Sequence, residues 1–178
     1  MRRPKNRKLD DVSERATSQG RGLDDLDWRL LSHLQHDARV STAELARQFK
    51  LSPPGVQKRL RRLEQKGVIQ RYVTLINRES VGLDLLCFVL VMLAHHRADS
   101  VKRFRAGIVA MPEVLECHYL TGEFDCLLKL VVANHEELQR CVERLMKVGG
   151  VDRLRTSIVL NEIKSVTGLP LNTRTKNP

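Results

Sequence analysis

From Leu23 onward, apolar residues recur at three- and four-residue spacing: Leu23, Leu26, Leu30 and Leu34, with Leu31 at the edge. That period predicts an amphipathic helix. Asp24 is placed to cap its start, and Asp25 and Asp27 suit the positive end of its dipole. The segment HDAR ends it. Ser41 and Glu44 then form a capping-box pattern. They open a short helix with Ala43, Leu45, Ala46 and Phe49 inward, stopping near Lys50-Leu51. Ser52 is the next cap, and Pro53 takes the first helical position, where its missing N–H costs nothing. The third helix runs to about Lys66, and Gly67 closes it. Val68, Ile69, Arg71, Tyr72, Val73 and Leu75 are β-prone and read as a short hairpin or wing, and Asn77 to Asp84 as a hinge.

The second half alternates between strands and helices. Leu85–Ala94 is apolar at both parities, Val101–Ala110 reads as a helix, and Val114–Leu120 as a strand. Thr121-Gly122-Glu123 is a turn, and Phe124–Ala133 is a second doubly apolar strand. Glu136–Val148 is a helix with Leu138, Val142 and Leu145 on one side; Gly149-Gly150 breaks it, and Val151–Leu160 is the last strand. The order β-α-β-β-α-β is the ferredoxin-like arrangement, two helices on one face of a four-stranded sheet. The other face of such a sheet is normally polar. Two strands apolar at both parities mean that something covers it. The simplest cover is a second copy of the same sheet, hence a dimer at least.

The third helix carries chemistry on its outer side. At 100° per residue, Val56, Leu60 and Leu63 form a core stripe. The opposite side holds Pro54, Lys58, Arg61, Arg62 and Gln65, with Gln57 and Arg59 on the flanks. Three capped helices with a basic third one are a helix-turn-helix pattern. Arg can pair with guanine O6/N7 and Gln with adenine N6/N7. The compact Ser52-Pro53-Pro54-Gly55 start lets the backbone approach a phosphate. The same face would also suit an ordinary solvated helix. Position after two capped helices favours double-stranded DNA.

Charge sharpens that picture. The net charge is +10 over 178 residues. Residues 1–22 carry seven Lys/Arg against three Asp/Glu, and residues 23–82 eleven against seven. Residues 83–178 carry thirteen against eleven, with Arg174 and Lys176 at the end. A basic front meeting a polyanion and a neutral back with a different role is the implied division. Cys87, Cys117, Cys126 and Cys141 lack metal-site spacing and read as reduced packing residues. His95-His96 would make a poor chelating pair, since strand neighbours point to opposite faces. No metal and no cofactor is expected. The longest apolar run, Leu85 to Ala94, is far short of the roughly 20 residues of a membrane-spanning helix. The charged start is not a secretory signal, so the expected location is the cytoplasm, with no membrane partner.

STAELARQFKLSPPGVQKRLRRLEQKGVI resembles the DNA-binding signature of the Lrp/AsnC (feast/famine) transcriptional regulators. LDDLDWRLLSHLQHDAR is similar to that family's first helix, and IQRYVTLINRESVGL to its wing. YLTGEFDCLLKLVV resembles the glycine-and-aspartate loop and apolar strand of its ligand-responsive domain. The likeness covers roughly residues 23–171. It implies a sequence-specific DNA-binding regulator, not an enzyme, that senses a small effector, usually an amino acid. It further implies sheet-face dimers assembling to tetramers or octamers, with the effector between dimers near Thr121, Gly122, Glu123, Phe124 and Asp125. Gly122 would expose backbone N–H groups to an α-carboxylate. Asp125 would accept from an α-ammonium, and Thr156 and Ser157 would add hydroxyl contacts. Phe124 stands where many relatives carry Tyr, so any hydroxyl contact there is lost. DNA contacts fall to Ser52, Pro53, Pro54, Gln57, Lys58, Arg61 and Arg62.

The expected organisation is a basic tail (1–22), a winged helix-turn-helix domain (23–72), a wing and hinge (73–84), a ferredoxin-like effector and oligomerisation domain (85–171) and a short tail (172–178), an α+β chain. Two other readings stay open. One is a sirohaem-decarboxylase-like enzyme on the same architecture, recruiting Arg71, Tyr72, Arg78, His95 and His118. The other is an architectural DNA-binding protein with no effector.

Overall fold

The computed structural model describes residues 22–94, 98–165 and 167–171. The two expected tails, but for Gly22, and the His95-His96 pair lie outside them. The chain divides into two compact units: residues 22–74 with 167–171, and residues 75–165. Residues 167–171, counted with the second domain on sequence, group here with the first.

The first unit holds α1 (Asp25–His36), α2 (Thr42–Phe49) and α3 (Pro53–Gln65). Each begins as its cap residues dictate. Asp24 Oδ1 accepts from the Asp27 N–H at 2.8 Å, and Asp27 Oδ2 reciprocates on the Asp24 N–H. Ser41 Oγ accepts from the Glu44 N–H, and Ser52 Oγ from the Gly55 N–H. Leu30, Leu45, Ala46 and Val56 form the core, with Leu26, Leu34, Phe49 and Leu60 packed around it. Ala43, expected inward, is exposed; α2 turns Leu45 and Ala46 to the core instead. Lys50 ends α2 in the left-handed region at φ 53°, a strained position for a side chain with a Cβ. Gln35 grips the returning chain, accepting from the Leu169 N–H at 2.6 Å and donating to its carbonyl at 3.1 Å.

The expected wing hairpin is not formed. Among the described residues no strand lies between α3 and the short 3-10 turn Glu79–Val81. Tyr72, Val73, Leu75 and Ile76 are exposed. β-prone residues make a strand only when a ladder partner is present, and this segment has none among the described residues.

The second unit is the ferredoxin-like arrangement: β1 (Leu85–Leu93), α4 (Ala98–Val109), β2 (Val114–Tyr119), β3 (Cys126–Val132), α5 (His135–Lys147) and β4 (Val151–Ile158). The sheet order is β2-β3-β1-β4, antiparallel throughout. One parity of β1 and β3, from Cys87, Val89 and Val91 to Cys126, Leu128 and Leu130, is buried with Phe104, Leu138 and Leu145 of the helices. Asn134 caps α5 by accepting from the Glu137 N–H. The other parity is also apolar except for Lys129 of β3, which lies opposite Phe88. Leu86, Phe88, Leu90 and Met92 of β1 alternate with the core residues, and Leu127 and Val131 of β3 pair with Leu90 and Leu86 beside them. Arg153 and Arg155 of β4 and Glu116 and His118 of β2 flank this stripe at the sheet edges.

Candidate nucleic-acid interface and effector loop

α3 presents the face its periodicity predicts. Val56 and Leu63 are fully buried, and Pro54, Gln57, Lys58 and Arg61 are exposed. Ser52 caps the helix and Pro53 opens it. Arg62 departs from the expected DNA face. It ion-pairs with Asp27, whose side chain is fully buried. Arg59 joins them, at 3.0 Å from Asp27 and 2.5 Å from Asp24. Two arginines of α3 are thus held against the start of α1 by two carboxylates. The Arg59 guanidinium holds the Asp24 carboxyl below its ordinary range. A buried carboxylate draws guanidinium groups because an unpaired charge there is costly. Arg62 is therefore a positioning residue that fixes α3 on α1, and the exposed cations of the face are Lys58 and Arg61. Sequence periodicity located Asp27 only as a dipole partner. Its burial could have been read from its place three residues before Leu30, on the inward side of α1.

The loop Thr121–Asp125 joins β2 to β3, with Gly122 at φ 130°, a conformation glycine tolerates. Thr121, Gly122 and Glu123 are exposed. Asp125 serves the fold itself. Its Oδ2 accepts from the Leu93 N–H at 2.7 Å, and its own N–H donates to the Val91 carbonyl at 2.9 Å. The carboxylate expected to receive an α-ammonium thus also pins the loop to the end of β1. Thr156 and Ser157 do not join the loop either. Thr156 lies opposite Val89 and Ser157 opposite Phe88, on opposite faces of the sheet. The root of the loop, Cys126, is level with Leu154, and β1 stands between them. That separation is about 10 Å at two strand spacings.

Three of the five residues named for a tetrapyrrole have partners of their own. Tyr72 donates to Glu64, Arg78 donates to the Leu83 and Asp84 carbonyls, and His118 pairs with Glu116. Arg71 is exposed, and His95 lies outside the described residues. Among the described residues no cluster of three or more His, Cys, Asp or Glu could hold a metal ion. None of their helices is long and apolar enough to cross a membrane.

A capped helix triplet with a basic outer helix, followed by a βαββαβ unit, defines a two-domain DNA-binding regulator. Family models match the same two regions: a winged helix-turn-helix DNA-binding model over residues 23–70 and an Lrp/AsnC ligand binding domain model over residues 86–169. The leucine-responsive regulatory proteins of Salmonella typhimurium and Escherichia coli K12 are each 36% identical over 156 residues, 87% of this chain and 95% of theirs. A transcriptional regulator–L-Met complex from Neisseria meningitidis superposes with TM-score 0.80 at 37% identity, covering 85% of this chain and 98% of that one. An AsnC family regulator from Agrobacterium tumefaciens gives TM-score 0.80 at 30% identity, covering 85% and 99%. The chain belongs to the Lrp/AsnC family of transcriptional regulators. It is a regulator by family, not an enzyme.

Proposed function

We propose that this chain is a cytoplasmic transcriptional regulator that reads specific double-stranded DNA and responds to a free amino acid. The observation that carries the reading is the exposed basic face of α3 on a fully capped helix triplet. Gln57, Lys58 and Arg61 enter the major groove. Ser52, Pro53 and Pro54 bring the start of α3 to a phosphate. Arg62 holds that helix in place.

Assembly begins at the outer sheet face. Leu86, Phe88, Leu90 and Met92 with Leu127 and Val131 form an apolar stripe, interrupted on β3 by Lys129, which pairs with Glu116 at the sheet edge. A second copy of the same sheet covers it through a two-fold axis, as the stripe is complementary to itself. The exposed, strand-prone segment Tyr72–Ile76 gains a ladder partner in the same dimer. Dimers then join into tetramers or octamers. The effector lies between them at Thr121, Gly122, Glu123 and Phe124, with its carboxylate on the N–H groups around Gly122. The L-Met complex of a relative with the same two-domain fold supports an amino-acid ligand. Asp125 orders the loop, and Thr156 and Ser157 stay apart from it.

Light scattering on Phe88→Lys tests the assembly. The variant should fall to the monomer mass; an unchanged mass would place the interface elsewhere. Isothermal titration with single L-amino acids tests the effector. At least one should bind, and Gly122→Val should weaken it more than tenfold. Silence from all of them would rule the effector out.

A further inference from the structure

Cys117 lies on β2 opposite Leu128, and Cys126 opens β3 opposite Tyr119. The two side chains therefore share the helix-facing side of neighbouring antiparallel strands, offset by two residues in register. In this register they are diagonal neighbours across the β2–β3 pair, close enough for each thiol to shift the other's titration. Their surroundings differ sharply. Cys117 is exposed on an edge strand, and Cys126 is fully buried. The Cys126 side chain, helped by the nearby His118, draws the Cys117 thiol down to about 7, while Cys117 and burial push Cys126 up. An exposed thiolate beside a second thiol is the arrangement of a reactive cysteine with a resolving partner. Cys87 and Cys141 are buried, and burial pushes both thiols up. They are packing residues, and so internal controls.

We propose that Cys117 and Cys126 are a modification site: a dithiol that a hydroperoxide converts to an intramolecular disulfide across the β2–β3 hairpin. The Cys117 thiolate attacks one peroxide oxygen, the O–O bond breaks, and hydroxide leaves and takes a proton to become water. Cys117 is then a sulfenic acid. The Cys126 sulfur, losing its proton, attacks the Cys117 sulfur, and the hydroxyl departs as the second water. Two thiols and one hydrogen peroxide give one disulfide and two waters; a dithiol reductant reverses the change. Among the described residues β2 pairs only with β3, and it carries a register shift between Val114 and Glu116. An edge strand of this kind can move the short distance that a diagonal disulfide needs. The closed ring contains the whole loop Thr121–Asp125.

The test treats the reduced full chain with equimolar hydrogen peroxide, denatures it in iodoacetamide and digests it with trypsin. No Lys or Arg lies between residues 106 and 128, so both cysteines stay on the peptide Ala106–Lys129. The expected result is that peptide unalkylated and lighter by two hydrogen atoms, regaining two alkyl groups after dithiothreitol, with Cys87 and Cys141 alkylated throughout. Cleavage after Glu123 should leave two fragments joined until reduction. Cys117→Ser, an exposed change that leaves the core intact, should abolish the mass loss. Cys126→Ala should stop at a sulfenic acid that dimedone labels. The proposal is overturned if both thiols remain alkylated, if Cys117 goes to sulfinic acid with Cys126 free, or if Cys117 links two chains on a non-reducing gel.

Discussion

Asp27→Asn removes one charge from a site with almost no solvent. The Asp27 side chain is fully buried and accepts from Arg59 at 3.0 Å, from Arg62, and from the Asp24 N–H at 3.2 Å. Hydrogen bonds to charged groups contribute about 1.5–3 kcal/mol each. Removing one partner of a buried ion pair costs about 3–5 kcal/mol. Two features reduce that figure. Asn keeps an acceptor for one donor, and the Arg59 and Arg62 side chains are 29% and 40% exposed, so both can turn to water. The expected loss is about 2–3 kcal/mol. With a urea slope of about 1–2 kcal/mol/M for a small domain, the midpoint should fall by roughly 1–3 M. Trp28 is the only tryptophan in the chain and adjoins Asp27 in α1. Its fluorescence therefore reports the first unit during urea unfolding. Adding Arg62→Met to Asp27→Asn should cost less than the two single changes summed, because they share one interaction. A midpoint for Asp27→Asn within about 0.5 kcal/mol of the parent would refute the buried network, since that is the scale of an ordinary surface change.

Lys58→Ala and Arg61→Ala should each weaken DNA binding, and each phosphate interaction removed should reduce the salt slope by about 1. Neither should alter oligomer mass by light scattering, and unchanged binding in both would place the DNA face elsewhere. Gly107→Ala should lower the thermal midpoint by circular dichroism despite alanine's better helix propensity. Its Cβ would stand 2.7 Å from Val148 Cγ1, and overpacking of this kind costs about 1–3 kcal/mol; a raised midpoint would show that Val148 yields. The first unit should lose stability on acidification. Asp24 is held below the 3.8 of an ordinary aspartate by the Arg59 hydrogen bond. Its contribution is full above the unfolded value and is lost as pH falls from there through the folded value. Asp24→Asn should flatten that decline in urea titrations between neutral pH and pH 3, and an unchanged slope would remove Asp24 from the cause.

The three helices and the βαββαβ order were legible because caps and periodicity are local signals. Ser41 and Ser52 bond to the N–H groups their spacing names. Three features were not legible, each for lack of tertiary information. Arg62 sits on the polar side of its helix by angle, and only the packing of α1 on α3 shows that a buried Asp27 holds it. The segment around Tyr72 and Val73 has strand propensity, but a ladder partner lies beyond the reach of local pattern. Asp125 reads as a loop residue available to a ligand; the antiparallel pairing of β1 with β3 brings the Leu93 N–H to its carboxylate. Thr156 and Ser157 show the strand period itself, since adjacent residues cannot line one site on one face.

The most direct measurement is fluorescence anisotropy of the full-length chain on DNA from upstream of its own gene, against a scrambled duplex, with and without a pool of the common L-amino acids. A ligand-gated regulator should bind the upstream DNA more tightly, and its apparent affinity should change about 5–150-fold with the pool, the usual size of such coupling. Equal affinity for the two duplexes, unmoved by the pool, would contradict that function.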